Sequence, residues 1–204
     1  MYLQATLMEL LIVMMMMMKK LIIEQSLTLQ TEFNKIKIMA KSKKENFSTN
    51  ISWKEAFGSA TAKKLKINNT PNDEQLANMK VLAEELFEPL REIVGEPIIV
   101  NSFFRSEELN NAISGAATTS QHIDGCAIDL DATGVSNCEL FYIIKNELDF
   151  DKLIWELGDD NNPAWIHVSY VKGNNRKLVY QAKRKEGKGY STYHSFNLDK
   201  IQDA

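Results

Sequence analysis

Residues 120–129 read Ser-Gln-His-Ile-Asp-Gly-Cys-Ala-Ile-Asp, and the fold is read outward from this stretch. His122 stands near the end of a polar loop, residues 115–124, and Gly125 permits a tight turn. Beyond the turn, strand alternation puts Ala127, Asp129 and Asp131 on one face and Cys126, Ile128 and Leu130 on the other. A loop histidine and a strand aspartate can therefore meet. A second histidine comes in Trp165-Ile166-His167-Val168-Ser169. There Trp165, His167 and Ser169 share a face, while Ile166 and Val168 point into a core.

On the N-terminal side, Thr70-Pro71-Asn72-Asp73 predicts a helix start, with Thr70 as N-cap and Pro71 in the first position. Leu76, Met79, Leu82, Leu86, Leu90 and Val94 follow at helical spacing, and Gly95 ends the helix. Pro89 is expected to kink or split it. Residues 97–100 read as a buried strand, Ser106 opens a short helix ending near Gly115, and residues 125–131 form a strand. Ser136 and Glu139 form a capping box before another helix. Strands are then expected over 152–157, 165–170 and 177–182, with residues 158–163 as the first turn. Helices first and antiparallel strands last predict an α+β fold, a small antiparallel sheet packed against helices.

The chain has 204 residues, 44% of them hydrophobic, enough for one domain with a real core. Its net charge of −3 gives no electrostatic footprint for nucleic acid. The basic run Lys183-Arg184-Lys185 reads as a solvated face. Two cysteines, Cys126 and Cys138, are too few for a disulfide scaffold and fit synthesis in a reducing compartment, with one bridge between them left open. Residues 7–18 are apolar, but Glu9 interrupts them and the lysines follow the run, so they fit neither a secretory signal nor a full membrane span. An uncleaved anchor is the rival reading. Residues 1–38 are read as an extension outside the domain, 39–51 as a polar linker, 52–183 as the domain and 184–204 as a polar tail.

Two histidines and a carboxylate, with a fourth position left to water, have the composition of a catalytic zinc site. The pattern HxxGxAxD at His122, Gly125, Ala127 and Asp129 is preceded by Ser-Gln and followed some forty residues later by WxHxS. It resembles the zinc D-alanyl-D-alanine carboxypeptidase family. That family includes phage L-alanyl-D-glutamate endolysins and has the Hedgehog domain as a distant structural relative. The resemblance is closest to small phage and prophage members and spans about residues 52–183. Supporting matches are Asn69-Thr70-Pro71, Leu90-Arg91, Ser102 with Arg105-Ser106, Leu109-Asn110 and Leu153-Ile154-Trp155-Glu156. It implies Zn2+ held by His122, Asp129 and His167, and a peptidoglycan stem peptide as substrate.

There are departures. Phe103-Phe104 stand where the family often has Gly-Tyr. Ala164 stands three residues before the second histidine, where many members carry the acid that serves as general base. Glu156 is the replacement candidate, because alternation puts Ile154 and Glu156 on one face. Asp159 and Asp160 are weaker candidates, being ordinary turn residues. By resemblance, Arg105 faces the substrate, able to hold a carboxylate or oxyanion. Ser120, Gln121 and Ser169 are candidates for contacting the peptide or supporting the metal ligands. Cys126 is read as a small core residue and His194 as a surface residue.

The resulting expectation is a monomeric zinc peptidase, carboxypeptidase-like, acting on the cell wall after release from a bacterial host. The alternatives are an L-Ala–D-Glu endopeptidase and a catalytically inactive zinc-containing binding module.

Overall fold

The computed structural model describes residues 14–30, 46–184 and 191–196. The chain separates into two units, Met1–Glu45 and Asn46–Ala204. In the first, residues 14–30 are helical (α1), with exposed Met, Leu and Ile side chains. No helix among the described residues is long and apolar enough to cross a membrane. Residues 1–13 and 31–45, which include most of the expected linker, lie outside the described residues.

The second unit begins earlier than the sequence reading placed it. Phe47 and Ile51 belong to the hydrophobic core, and Glu88 fastens this stretch by accepting from Ser48 Oγ and from the Asn50 amide groups. Two short helices follow, α2 (Trp53–Phe57) and α3 (Ala60–Leu65), capped by Ser52 and Ser59.

In α4 (Asp73–Leu82) the cap is Asn72, not Thr70. Asn72 and Gln75 form a reciprocal capping box, the stronger arrangement because it satisfies two free N–H groups. Ahead of Pro89 the expected interruption takes the form of a π-helical turn, Ala83–Phe87, that divides the α-helix into two segments without ending it, and the chain continues as α5 (Glu88–Val94). Proline has no N–H to donate and its ring crowds the carbonyl four residues back, which a wider turn accommodates. The remaining helices are α6 (Glu107–Ala112) and α7 (Asn137–Glu147), capped by Ser106 and Ser136 as their sequences predict.

Six strands form one sheet in the order β1-β2-β4-β3-β5-β6. They are β1 (Ile98–Ser102), β2 (Ala127–Ala132), β3 (Lys152–Glu156), β4 (Trp165–Ser169), β5 (Leu178–Arg184) and β6 (Ser191–Ser195). The fold is α+β, as expected, and every pairing but one is antiparallel. The exception is β3 with β5. The chain after β4 crosses to the far side of β3, so β5, antiparallel to β4, runs parallel to β3. β6 lies in the stretch read as a polar tail, so the sheet extends beyond the expected boundary at residue 183.

One sheet face carries Ile128, Leu130, Leu153, Trp155, Ile166 and Val168. These pack with Leu82, Leu86 and Phe87 of the long helix and with Leu140, Phe141 and Ile144 of α7. Full burial of each such side chain contributes about 1.5–3 kcal/mol. This core leaves the opposite face of the sheet free to carry polar chemistry.

Candidate metal centre and its cavity

Strand register builds the site. Asp129 on β2 pairs with His167 on β4, and His167 pairs with Ile154 on β3. His122 enters from the loop before β2. That loop is tied down from several sides: Gln75 Nε2 donates to the Ile123 carbonyl and Asn78 Nδ2 to that of Asp124, while Arg105 N and Gly125 N both donate to the His122 carbonyl. Gly125 has a φ of +71°, and a Cβ there would stand 2.5 Å from the backbone oxygen of Gln75. Only glycine allows the loop to turn this close to α4.

The imidazole orientation follows. His122 Nδ1 lies 2.6 Å from the Phe103 carbonyl. A carbonyl can only accept, so this nitrogen carries the proton and Nε2 offers its lone pair in the neutral ring. Nε2 faces Asp129 Oδ1 at 3.1 Å, and His167 Nδ1 faces the same oxygen at 2.9 Å. The three ligand atoms lie within 4.8 Å of one another. A lone pair directed at a carboxylate oxygen requires a proton or a cation between them, and the donor set of two imidazoles and one carboxylate suits zinc. Burial opposes charge on Asp129, but His122 and His167 hold its carboxyl well below the usual range.

A β-bulge at the end of β1 brings Ser102 opposite Asp129. The Ser102 hydroxyl accepts from Arg105 Nε at 2.8 Å, and Arg105 Nη2 reaches Asp129 Oδ2 at 2.5 Å. Asn69, which entered the sequence reading only as a supporting match, holds this turn. Its amide donates to the Phe57 and Phe104 carbonyls and accepts from Ser106 N. Phe103 and Phe104 are buried in the core.

Glu156 reaches the site from β3. It pairs with Trp165, and its carbonyl accepts from Ala164 N at 2.9 Å, so it stands across the hairpin from the alanine. It is 8% exposed and lines the cavity. Burial pushes its carboxyl up to about 7; His167 and Arg105 pull down and Asp129 pushes up. Asp159 spends Oδ1 on the backbone N–H groups of Asn161 and Asn162, and Asp160 lies near Lys183 on the surface. Neither lines the cavity.

The cavity, of about 500 Å³, lies between residues 113–122 and the sheet. Arg105, Ser120, Gln121, His122, Asp129 and His167 line it with Glu156. Gln121 is partly committed, because its Nε2 donates to Asp151 Oδ2 at 2.9 Å. Ser169 is fully buried and does not line the cavity. Its hydroxyl accepts from Lys152 N, so it holds strand register and is not placed to touch a peptide.

Both cysteines are free, and Cys126 is only partly buried, outside the core cluster where it was expected. His194 is exposed on β6, as expected. Of the basic run, Lys183 is exposed near Asp160, Arg184 lines the cavity, and Lys185 lies outside the described residues. Lys152, Tyr180, Arg184 and Tyr193 are cavity residues that the sequence reading missed. The alternation in Lys152–Glu156 could have revealed Lys152. Nothing in the sequence places β5 and β6 beside it.

Asp151 was also missed. It is 1% exposed and accepts from Gln121 and, through both oxygens, from Arg176 at 2.6 and 2.7 Å. Arg176 foremost, with Gln121, outweighs burial and lowers its carboxyl to about 2.

In comparison with known proteins, residues 49–169 match a family model described as Peptidase M15. No curated protein matches the chain.

Proposed function

This chain belongs to the peptidase M15 family of metallopeptidases, and from that premise we propose that it is a zinc-dependent peptidase of peptidoglycan stem peptides. We assign it D-Ala-D-Ala carboxypeptidase-like activity, an origin in a phage or prophage, and action on the cell wall as a monomer after release from the host. The observation that carries the reading is the convergence of His122, Asp129 and His167 beside Glu156 in one cavity.

The two imidazoles and Asp129 Oδ1 would hold the zinc. Zinc supplies a Lewis acid that polarises the scissile carbonyl and makes water more acidic. The remaining steps belong to the chain. Glu156, buried at the wall of the cavity, takes the proton of the attacking water and returns it to the leaving amine. Arg105, anchored by Ser102 and paired with Asp129, presents its guanidinium beside the metal ligands, where it can hold a carboxylate or a developing oxyanion. The Phe103 carbonyl keeps His122 in the tautomer that presents Nε2.

A second hollow, of about 430 Å³, shares Arg105, Ile113, Asp129 and Trp165 with the first. Space on both sides of the site supports a second reading, an L-Ala–D-Glu endopeptidase. One experiment tests both: the zinc-loaded protein is incubated with purified peptidoglycan fragments and the products are identified by mass. Release of D-Ala supports the carboxypeptidase, and a cut after L-Ala the endopeptidase. Tight binding without turnover would replace both with an inactive binding module.

A further inference from the structure

The family match ends at Ser169, but the sheet does not. β5 and β6 add two strands beyond β3, and register puts Tyr180, Ala182 and Arg184 on the face that carries Ile154 and Glu156. Tyr193 on β6 pairs with Ala182 and shares that face. Tyr180, Arg184 and Tyr193 line the cavity accordingly, with Lys152 from β3.

The charges are unevenly placed. Arg105, at the centre, is paired with Asp129. Lys152 and Arg184 have no ion-pair partner among the described residues. They also stand at opposite ends. Lys152 pairs with Leu178, and Arg184 lies six residues further along the parallel strand. At about 3.3 Å per residue, this separates their backbones by ~20 Å. Tyr193, half-exposed, adds a hydroxyl towards the Arg184 end, and a phenol is protonated and able to donate at neutral pH. A concave site with cations at separate ends favours an anionic ligand and holds each anionic group separately.

We propose that the wall built by β3, β5 and β6 is a substrate subsite for a peptide bearing two carboxylates, one taken by Lys152 and the other by Arg184. It rests on the peptidase reading and adds the charge of the substrate to it.

The test uses the zinc-loaded full chain with a stem peptide that carries two free carboxylates and with the two analogues amidated at one or the other. Wild type, Lys152→Met and Arg184→Met are compared by kcat and KM, and by calorimetric binding of the same peptides. Wild type is expected to show a roughly two- to fivefold higher KM for each monoamide, with kcat little changed, the size expected of partly exposed ion pairs. Each variant should lose discrimination against one monoamide, and the two variants against different ones. Equal KM and equal binding of acid and amides by wild type would overturn the subsite and leave the peptidase intact. So would full discrimination in both variants, or loss against the same amide in both. If wild type hydrolyses none of the peptides, the peptidase reading fails, and the binding data decide the subsite independently: the same one-to-one loss supports it and its absence overturns it.

Discussion

His122 Nε2 stands 3.1 Å from Asp129 Oδ1 with its lone pair turned toward the oxygen. Because Nδ1 is committed to the Phe103 carbonyl, the ring cannot relieve this by changing tautomer. Zinc between the two would, so one zinc per chain is expected. His122→Ala or His167→Ala should abolish binding. Adding zinc should raise the melting temperature of wild type and of neither variant, because the ligands come from separate elements and metal binding adds to folding free energy. Metal analysis with thermal denaturation checks this, and a stoichiometry near zero would remove the assignment.

Through its carboxylate, Asp151 links Arg176, just ahead of β5, to Gln121 in the His122 loop. With its carboxyl lowered to about 2 in the fold, its contribution is present above the unfolded value near 4 and disappears as pH falls through 2. Asp151→Asn should therefore lower the denaturation midpoint at pH 7, and the difference from wild type should vanish near pH 2. The substitution also puts a second amide where Gln121 and Arg176 donate. Because Gln121 adjoins His122, zinc affinity is expected to weaken by at most about tenfold, the low end for groups that hydrogen-bond a metal ligand directly. Unchanged affinity with lowered stability would make Asp151 a scaffold residue only.

A chain starting at Met39 should fold and bind zinc as the full chain does. One starting at Ser52 should not match it, because Phe47 and Ile51 are lost from the core. Large buried side chains cost about 2–5 kcal/mol each when removed, so the shorter chain is expected to lose roughly 5 kcal/mol. Denaturant titration of both chains measures this. Equal midpoints would show that the stretch packs without stabilising.

What could be read from the residues was local. Alternation around Asp129 and His167 was enough to put both on one face, and the serines before α6 and α7 marked those helix starts correctly. Thr70 misled because three residues in succession, Thr70, Pro71 and Asn72, resemble helix starts, and only the partner Gln75 decides among them. β6 was invisible because Ser191–Ser195 has too few apolar residues to declare a buried strand; its place comes from backbone pairing with β5. Asp151 is a polar residue beside a strand, and its role depends on Arg176, 25 positions away, which no periodicity relates to it.

Glu156 gives the last prediction, with two readouts that oppose each other. As the base, it should be irreplaceable: Glu156→Gln preserves shape and removes proton transfer, so kcat should fall roughly 10²–10⁴-fold while zinc content is retained. As a buried carboxyl raised to about 7, it also burdens the fold. The folded state holds the proton more tightly than the unfolded one, so in metal-free protein stability falls as pH rises from about 4.5 through 7. Glu156→Gln removes that dependence and should be the more stable protein at pH 8, by about 1–2 kcal/mol after allowing for the buried amide. Loss of turnover together with gain in metal-free stability is the signature of a group retained for chemistry. A variant that keeps wild-type kcat would make Glu156 structural. One that loses both activity and stability would make it a packing residue, its lost turnover a consequence of a damaged site.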